Sequence, residues 1–214
     1  GFMAGLISST ALTLSFAEQS KKDKAFVNPY AFAVVIASSA MFFRMMLEVA
    51  VLNGALLEKV AVPLATMGGV GILSAFFLWL KNDKTKVVKA VEKDVAAMRS
   101  PFSIFSALKF ALFFVLILFV SKFALEVMGN RGLYLTSFIS GLMDVDAITV
   151  SVANLARAEI TRSSAAIAVI IAAMANTLFK GFFFLFFGNR KVALRILAVF
   201  GLILIAGAAS LIFI

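Results

Sequence analysis

An all-α, polytopic membrane fold follows from three features of this 214-residue sequence. Hydrophobic residues make up 63% of it, charged residues only 14%, and five long apolar segments can each span a bilayer. Ordinary soluble domains hold roughly 45–50% apolar and 25% charged residues, so a water-soluble globule is excluded. A membrane helix needs about 20 residues, and the runs are Asn28 to Asn53, Val60 to Leu80, Pro101 to Ser121, Ser163 to Gly188 and Val192 to Ile214. No alternation over successive segments of about ten residues signals a β-barrel. Helices are the remaining way to satisfy the backbone in lipid.

Taken in order, Gly1 to Ala17 is apolar and uncharged but carries Ser8, Ser9 and Thr10. The chain starts with Gly1 inside this stretch, without the basic region of a signal peptide. That start reads as a piece of a longer membrane protein. Two spanning helices follow, and then a polar stretch, Lys81 to Ser100, with six Lys/Arg and three Asp/Glu. Val87, Val88, Val91, Val95 and Met98 recur there at helical spacing. They predict either a basic amphipathic helix at the cytoplasmic headgroups or a plain solvated linker. After the span from Pro101 comes Leu133 to Ala156, apolar except for Asp144, Asp146 and a few small polar groups. The last two spans close the chain.

An internal repeat organises these segments. Gly5-Leu-Ile-Ser-Ser-Thr-Ala-Leu-Thr-Leu-Ser-Phe-Ala17 aligns without gaps to Gly141-Leu-Met-Asp-Val-Asp-Ala-Ile-Thr-Val-Ser-Val-Ala153, with six of thirteen positions identical. Ala31 to Ala40 then matches Ala166 to Ala175, and Lys59-Val-Ala61 matches Lys191-Val-Ala193. The expected organisation is repeat 1 over residues 1–81 without a leading helix, a linker over 82–100, and repeat 2 over 101–214. Each repeat has a motif helix that is Gly-broken or re-entrant. Counting basic residues on either side of the membrane leaves parallel and inverted repeats equally open.

Charged groups at membrane depth cost roughly 2.5–3.5 kcal/mol each on insertion scales, so each needs a partner or a function. Asp144 and Asp146 stand two apart, which on an unbroken helix points them roughly 200° apart. They share one site only if the backbone unwinds nearby, and Gly141 is placed to allow it. In the repeat alignment Ser8 meets Asp144 and Thr10 meets Asp146. Ser, Thr and Asp are N-cap residues, so one reading is that they cap helices restarting after a glycine break. The other is that two broken helices hold an ion or substrate near the midplane, as in secondary transporters.

Arg44 and Lys180 come into register with one gap allowed, Glu48 lies one turn beyond Arg44, and Asn176 lies one turn before Lys180. A structural ion pair is an alternative, either Arg44 with Glu48 or Lys180 with one of the aspartates. Thr13, Ser15, Thr149, Ser151 and Asn154 add uncharged oxygen and amide groups to the motif helices. The mid-membrane charges balance, with Arg44, Lys109 and Lys180 against Glu48, Asp144 and Asp146.

The sequence has no Cys and no His, which excludes disulfides, thiolate chemistry, zinc sites and His-based catalysis. No Walker loop, dinucleotide fingerprint, nucleophile elbow or metalloprotease helix is present. The chain therefore reads as a non-enzyme without a cofactor. Its net charge of +9 points to anionic lipid rather than nucleic acid.

The Gly141-Leu-Met-Asp-Val-Asp-Ala-Ile-Thr-Val-Ser motif, with Gly5-Leu-Ile-Ser-Ser-Thr-Ala and Ala175-Asn-Thr-Leu-Phe-Lys180, resembles the bacterial domain of unknown function 4010. That domain follows an MgtC/SapB-type membrane domain in longer proteins. The resemblance implies a multi-pass protein of the bacterial inner membrane, with the MgtC-like domain as a partner in the same chain. It supplies no functional residues.

The expected function is a secondary transporter domain for a small ion. Asp144, Asp146, Arg44, Lys180, Asn176, Glu48, Ser8, Ser9, Thr10 and Thr149 are its candidate binding residues. An all-oxygen site suits Mg²⁺, Na⁺ or H⁺, and Asp144 and Asp146 are the residues any metal would use. An anionic substrate held by Arg44 and Lys180 is a further option. The alternative is a non-transporting scaffold or regulator. Expected partners are the bilayer, the small ion and the MgtC-like domain, with a homo-oligomer left open.

Overall fold

The computed structural model describes residues 2–22, 27–80 and 104–214, with side chains described outside 2–8, 104–111, 113 and 114. The basic stretch 81–100 lies outside the described residues. Eight α-helices run through the described residues: α1 Phe2–Lys22, α2 Val27–Leu52, α3 Gly54–Leu80, α4 Ile104–Met128, α5 Asn130–Met143, α6 Val145–Leu155, α7 Arg162–Phe187 and α8 Arg190–Ser210. A short 3₁₀ turn, Leu211–Phe213, continues α8. No strand occurs among the described residues.

Among the described residues, four segments are long and apolar enough to cross a membrane: α2, α3, α7 and α8 with its 3₁₀ extension. They coincide with four of the five predicted runs, and the fifth run falls on the 25-residue α4. Pro29 sits in the first turn of α2, where its missing N–H breaks no helical bond. Pro63 lies inside α3, which continues through it, as membrane helices tolerate.

Polar side chains punctuate the chain between helices. Asn53 separates α2 from α3 and accepts a bond from the Leu56 amide at 3.1 Å. Asn189 does the same between α7 and α8, accepting from the Lys191 amide at 2.9 Å. Thr161 Oγ1 accepts from the Ser164 amide at the start of α7, at 3.1 Å. Gly129 joins α4 to α5 with φ 59°, a left-handed conformation that costs glycine least.

The chain divides into two compact units, with boundaries at Phe43/Arg44, Ala65/Thr66, Asn176/Thr177 and Ala206/Gly207. Unit one holds α1, the start of α2, the later part of α3, the end of α7 and most of α8. Its interior is aliphatic and aromatic, including Leu12, Phe16, Phe42, Phe184 and Phe200. Unit two holds the end of α2, the start of α3, α4, α5, α6 and α7 up to Asn176. In it α4 packs against α5 and α6, and Met45, Val49, Leu56, Leu133, Ile148, Val152 and Val169 are buried. Each unit therefore takes helices from both halves of the sequence.

Candidate functional site

The acidic motif of unit two is built around a helix interruption. α5 ends at Met143, Asp144 adopts extended backbone (φ −149°, ψ 125°), and α6 restarts at Val145. Asp144 is the N-cap of α6, its Oδ1 accepting from the Asp146 amide at 2.8 Å. The capping reading of Asp144 is therefore realised.

The interruption falls at Asp144, three residues beyond Gly141, which remains inside α5. The role of Gly141 is close approach: an added Cβ would stand 2.5 Å from the Ala172 carbonyl oxygen and 2.7 Å from the Ala172 Cα. The side-chain amide of Asn176, one turn along α7 from Ala172, donates to the Gly141 carbonyl at 2.8 Å. That carbonyl is one of the last four of α5, which have no partner inside the helix.

The carboxylate of Asp146 is held from α2. Arg44 Nη2 donates to Asp146 Oδ1 at 2.6 Å and to Oδ2 at 2.7 Å. The Arg44 Nε lies 3.5 Å from Glu48 Oε1, one turn further along α2. The pair is sheltered, with side-chain exposures of 18% for Arg44 and 26% for Asp146. Asp144 is within electrostatic reach of both. The far end of α6 is tied to the same helix. Asn53 Nδ2 donates to the Ala153 carbonyl at 3.2 Å, and Arg157 Nε donates to the Leu52 carbonyl at 3.1 Å. A cation on the last carbonyl of α2 also complements that helix's dipole.

Unit one contains a second basic residue with a motif helix. Lys180 is fully buried, and its Nζ donates to Ser9 Oγ on α1 at 2.6 Å and to Met41 Sδ on α2 at 3.2 Å. The Asn189 amide donates to Ser20 Oγ near the end of α1 at 2.9 Å. Ser9 also receives Thr13 Oγ1 on its backbone carbonyl, at 2.7 Å.

Residues 1–188 match the family described as Domain of unknown function (DUF4010). The chain belongs to the DUF4010 family. A relative from Aquifex aeolicus (strain VF5), described as an uncharacterized protein, is 31% identical over 198 residues, covering 92% of this chain and 84% of the relative. No solved structure matches. The DUF4010 match takes in both motif helices and every candidate residue.

Within this DUF4010 chain the predicted residues fall into two groups. Arg44, Glu48, Asp144, Asp146, Thr149 and Asn176 belong to unit two, and Ser9, Thr10 and Lys180 to unit one. Ser8 lies on α1, with its side chain outside the described set. α1 runs unbroken through Gly5 to Thr10, so the first motif is a continuous helix instead of a broken one. Its Thr13 bonds within the helix to the carbonyl four residues back. Arg44, not Lys180, is the cation on Asp146, and Lys180 is on Ser9. Three polar groups flagged in the motif helices satisfy themselves locally in the same way: Thr13, Ser151 and Asn154 all bond to the carbonyl four residues back.

Asn53, Asn189 and Met41 escaped the reading of single residues. A signal for the asparagines was present, because 136 residues separate Gly5 from Gly141, Arg44 from Lys180 and Asn53 from Asn189 alike.

Proposed function

We propose that this chain is the membrane-embedded part of a secondary transporter for a small ion, built by duplication and seated in the bacterial inner membrane. The observation carrying the reading is the Arg44–Asp146 contact beside the helix interruption at Asp144. A fixed guanidinium holds one carboxylate where two short helices meet, and a broken helix at membrane depth is the arrangement transporters use to hold ions. By helix rise Arg44 lies about 12 Å from the end of α2, and Lys180 about 10 Å from the end of α7. Charges so placed are retained for a partner or a function.

The duplication is supported by a reciprocal pattern. In unit two the basic residue and the linking asparagine, Arg44 and Asn53, come from the first half of the sequence and clasp α6 in the second. In unit one the Lys180 side chain and the backbone N–H of Asn189 come from the second half and donate to Ser9 and Ser20 on α1 in the first. An MgtC-like domain elsewhere in the full-length protein belongs to the same proposal.

The closed Arg44–Asp146 pair also favours a second reading, in which the buried charges are structural and the domain is a non-transporting scaffold or regulator. Proteoliposomes carrying the full-length protein separate the two. Asp146→Asn abolishes ion flux while the protein stays folded if the carrier reading holds. Absence of flux under every ion gradient, with Asp146→Asn merely unstable, supports the scaffold.

A further inference from the structure

Four buried side-chain oxygens near the α5–α6 interruption make no hydrogen bond among the described residues: Ser137 Oγ, Ser140 Oγ, Thr149 Oγ1 and Asn176 Oδ1. Their residues are at most 2% exposed. A buried polar atom without a partner costs about 1–3 kcal/mol, so this group along α5, α6 and α7 calls for an occupant; Ser121 Oγ and Glu48 Oε2 of the same unit are in the same state. Asn176 fixes the direction. Its Nδ2 is committed to the Gly141 carbonyl, so its amide oxygen is presented at the end of α5. Ser137 lies one turn before Gly141 on the same helix face. Ser140 carries the carbonyl that accepts the Asp144 amide at 2.8 Å. Thr149 lies one turn beyond buried Val145, the first residue of α6.

Charge decides between classes of occupant. Asp144, Asp146 and Glu48 bring three carboxylates to one guanidinium, Arg44, whose contacts are with Asp146 and Glu48. With all three ionised the surplus is negative, which repels an anion. Mg²⁺ keeps several waters and near-ideal octahedral geometry, whereas the oxygens here are neutral and enclosed. Among the described residues no group of three Asp or Glu is arranged to hold a metal. Neutral hydroxyl and amide oxygens with one nearby carboxylate suit a dehydrated monovalent cation.

We infer that the α5–α6 interruption binds Na⁺, held by the Asp144 carboxylate and the oxygens of Ser140, Thr149 and Asn176. This rests on the transporter reading only in naming its ion, since binding is measurable without transport. The test is equilibrium binding of ²²Na⁺ to the full-length protein in detergent, with thermal unfolding in NaCl against choline chloride. Saturable ²²Na⁺ binding, resistant to a hundredfold excess of Mg²⁺, and an Na⁺-dependent rise in Tm are expected. Thr149→Val removes an oxygen with no partner among the described residues and should weaken Na⁺ binding at least tenfold with the fold retained. Asn176→Ala should do the same, and if it fails to fold, Thr149→Val and Ser140→Ala decide.

Folded wild-type protein without saturable Na⁺ binding overturns the site, as does binding unchanged in Thr149→Val and Ser140→Ala. Na⁺ binding without flux of any ion sustains the site and removes the carrier. Flux coupled to another ion, with no Na⁺ binding, removes the site and leaves the carrier.

Discussion

Arg44 Nη2 lies against both carboxylate oxygens of Asp146, at 2.6 and 2.7 Å, although 102 residues separate them in the chain. One nitrogen thus spans the whole carboxylate, and the Nε end of the same guanidinium faces Glu48. α2 and α6 are thereby joined through a charge-assisted contact in a sheltered setting. Such contacts are about twice as strong as neutral hydrogen bonds.

Breaking that contact from one side leaves carboxylates without their cation. Arg44→Met is expected to destabilise the protein by about 3 kcal/mol, because an uncompensated sheltered charge costs more than the pair contributes. Arg44→Lys keeps the charge but loses the planar group that reaches Asp146 and Glu48 together, so it should recover only part of the loss. Urea or SDS unfolding in detergent measures both, and a loss below 0.5 kcal/mol for Arg44→Met contradicts the assignment.

Capping and charge can be separated at Asp144. Asparagine is as good an N-cap as aspartate, whereas alanine removes about 1 kcal/mol. Asp144→Asn should therefore leave unfolding stability within about 0.5 kcal/mol of wild type, and Asp144→Ala should lower it by about 1 kcal/mol. Both should weaken ²²Na⁺ binding. Equal stability losses in the two variants would show that the charge, not the cap, supports α6.

Gly141 is predicted to be the least replaceable glycine of the acidic motif. In Gly141→Ala the new Cβ meets backbone atoms of Ala172, which cannot rotate away, and overpacking of this kind costs about 1–3 kcal/mol or more. Gly201→Ala is the control: the site on α8 has nothing within 4 Å of the added Cβ. Alanine there should be neutral or stabilising by up to about 1 kcal/mol. Thermal-shift measurements on both variants compare them directly.

The linking asparagines test the reciprocal pattern. Asn53→Ala and Asn189→Ala should each cost about 1 kcal/mol for the lost cap. Asn53→Ala should cost somewhat more, because its amide also holds the Ala153 carbonyl. A strong effect from one and none from the other would argue against equivalent roles.

On α1, Ser9→Ala removes the hydroxyl that accepts from Lys180. A hydrogen bond to a charged group contributes about 1.5–3 kcal/mol, and a loss in that range is expected on chemical unfolding. Ser9→Thr, which keeps the oxygen, should restore much of it. A loss in Ser9→Thr as large as in Ser9→Ala would count against the contact.

The helices were legible in the sequence because lipid leaves the backbone few alternatives. An apolar run of sufficient length with little charge is a helix whatever it packs against, and α2, α3, α7 and α8 lie where hydropathy places them. That Asp144, Asp146, Arg44 and Asn176 would need partners was legible for a related reason: polar groups in such runs are too costly to leave unpaired.

Partner choice was decided only by the tertiary structure. Whether Asp146 meets Arg44 or Lys180 depends on which helix faces come within 3 Å, and periodicity along one helix carries no such information. The position of the break shows the same limit. Glycine permits an interruption, but at Gly141 its missing Cβ admits the backbone of Ala172, while the side chain of Asp144 supplies the acceptor that lets a new helix begin. Local chemistry settled which segments are helical and which residues need partners, and long-range packing settled whom they touch, because contact depends on the arrangement of helices far apart in the chain.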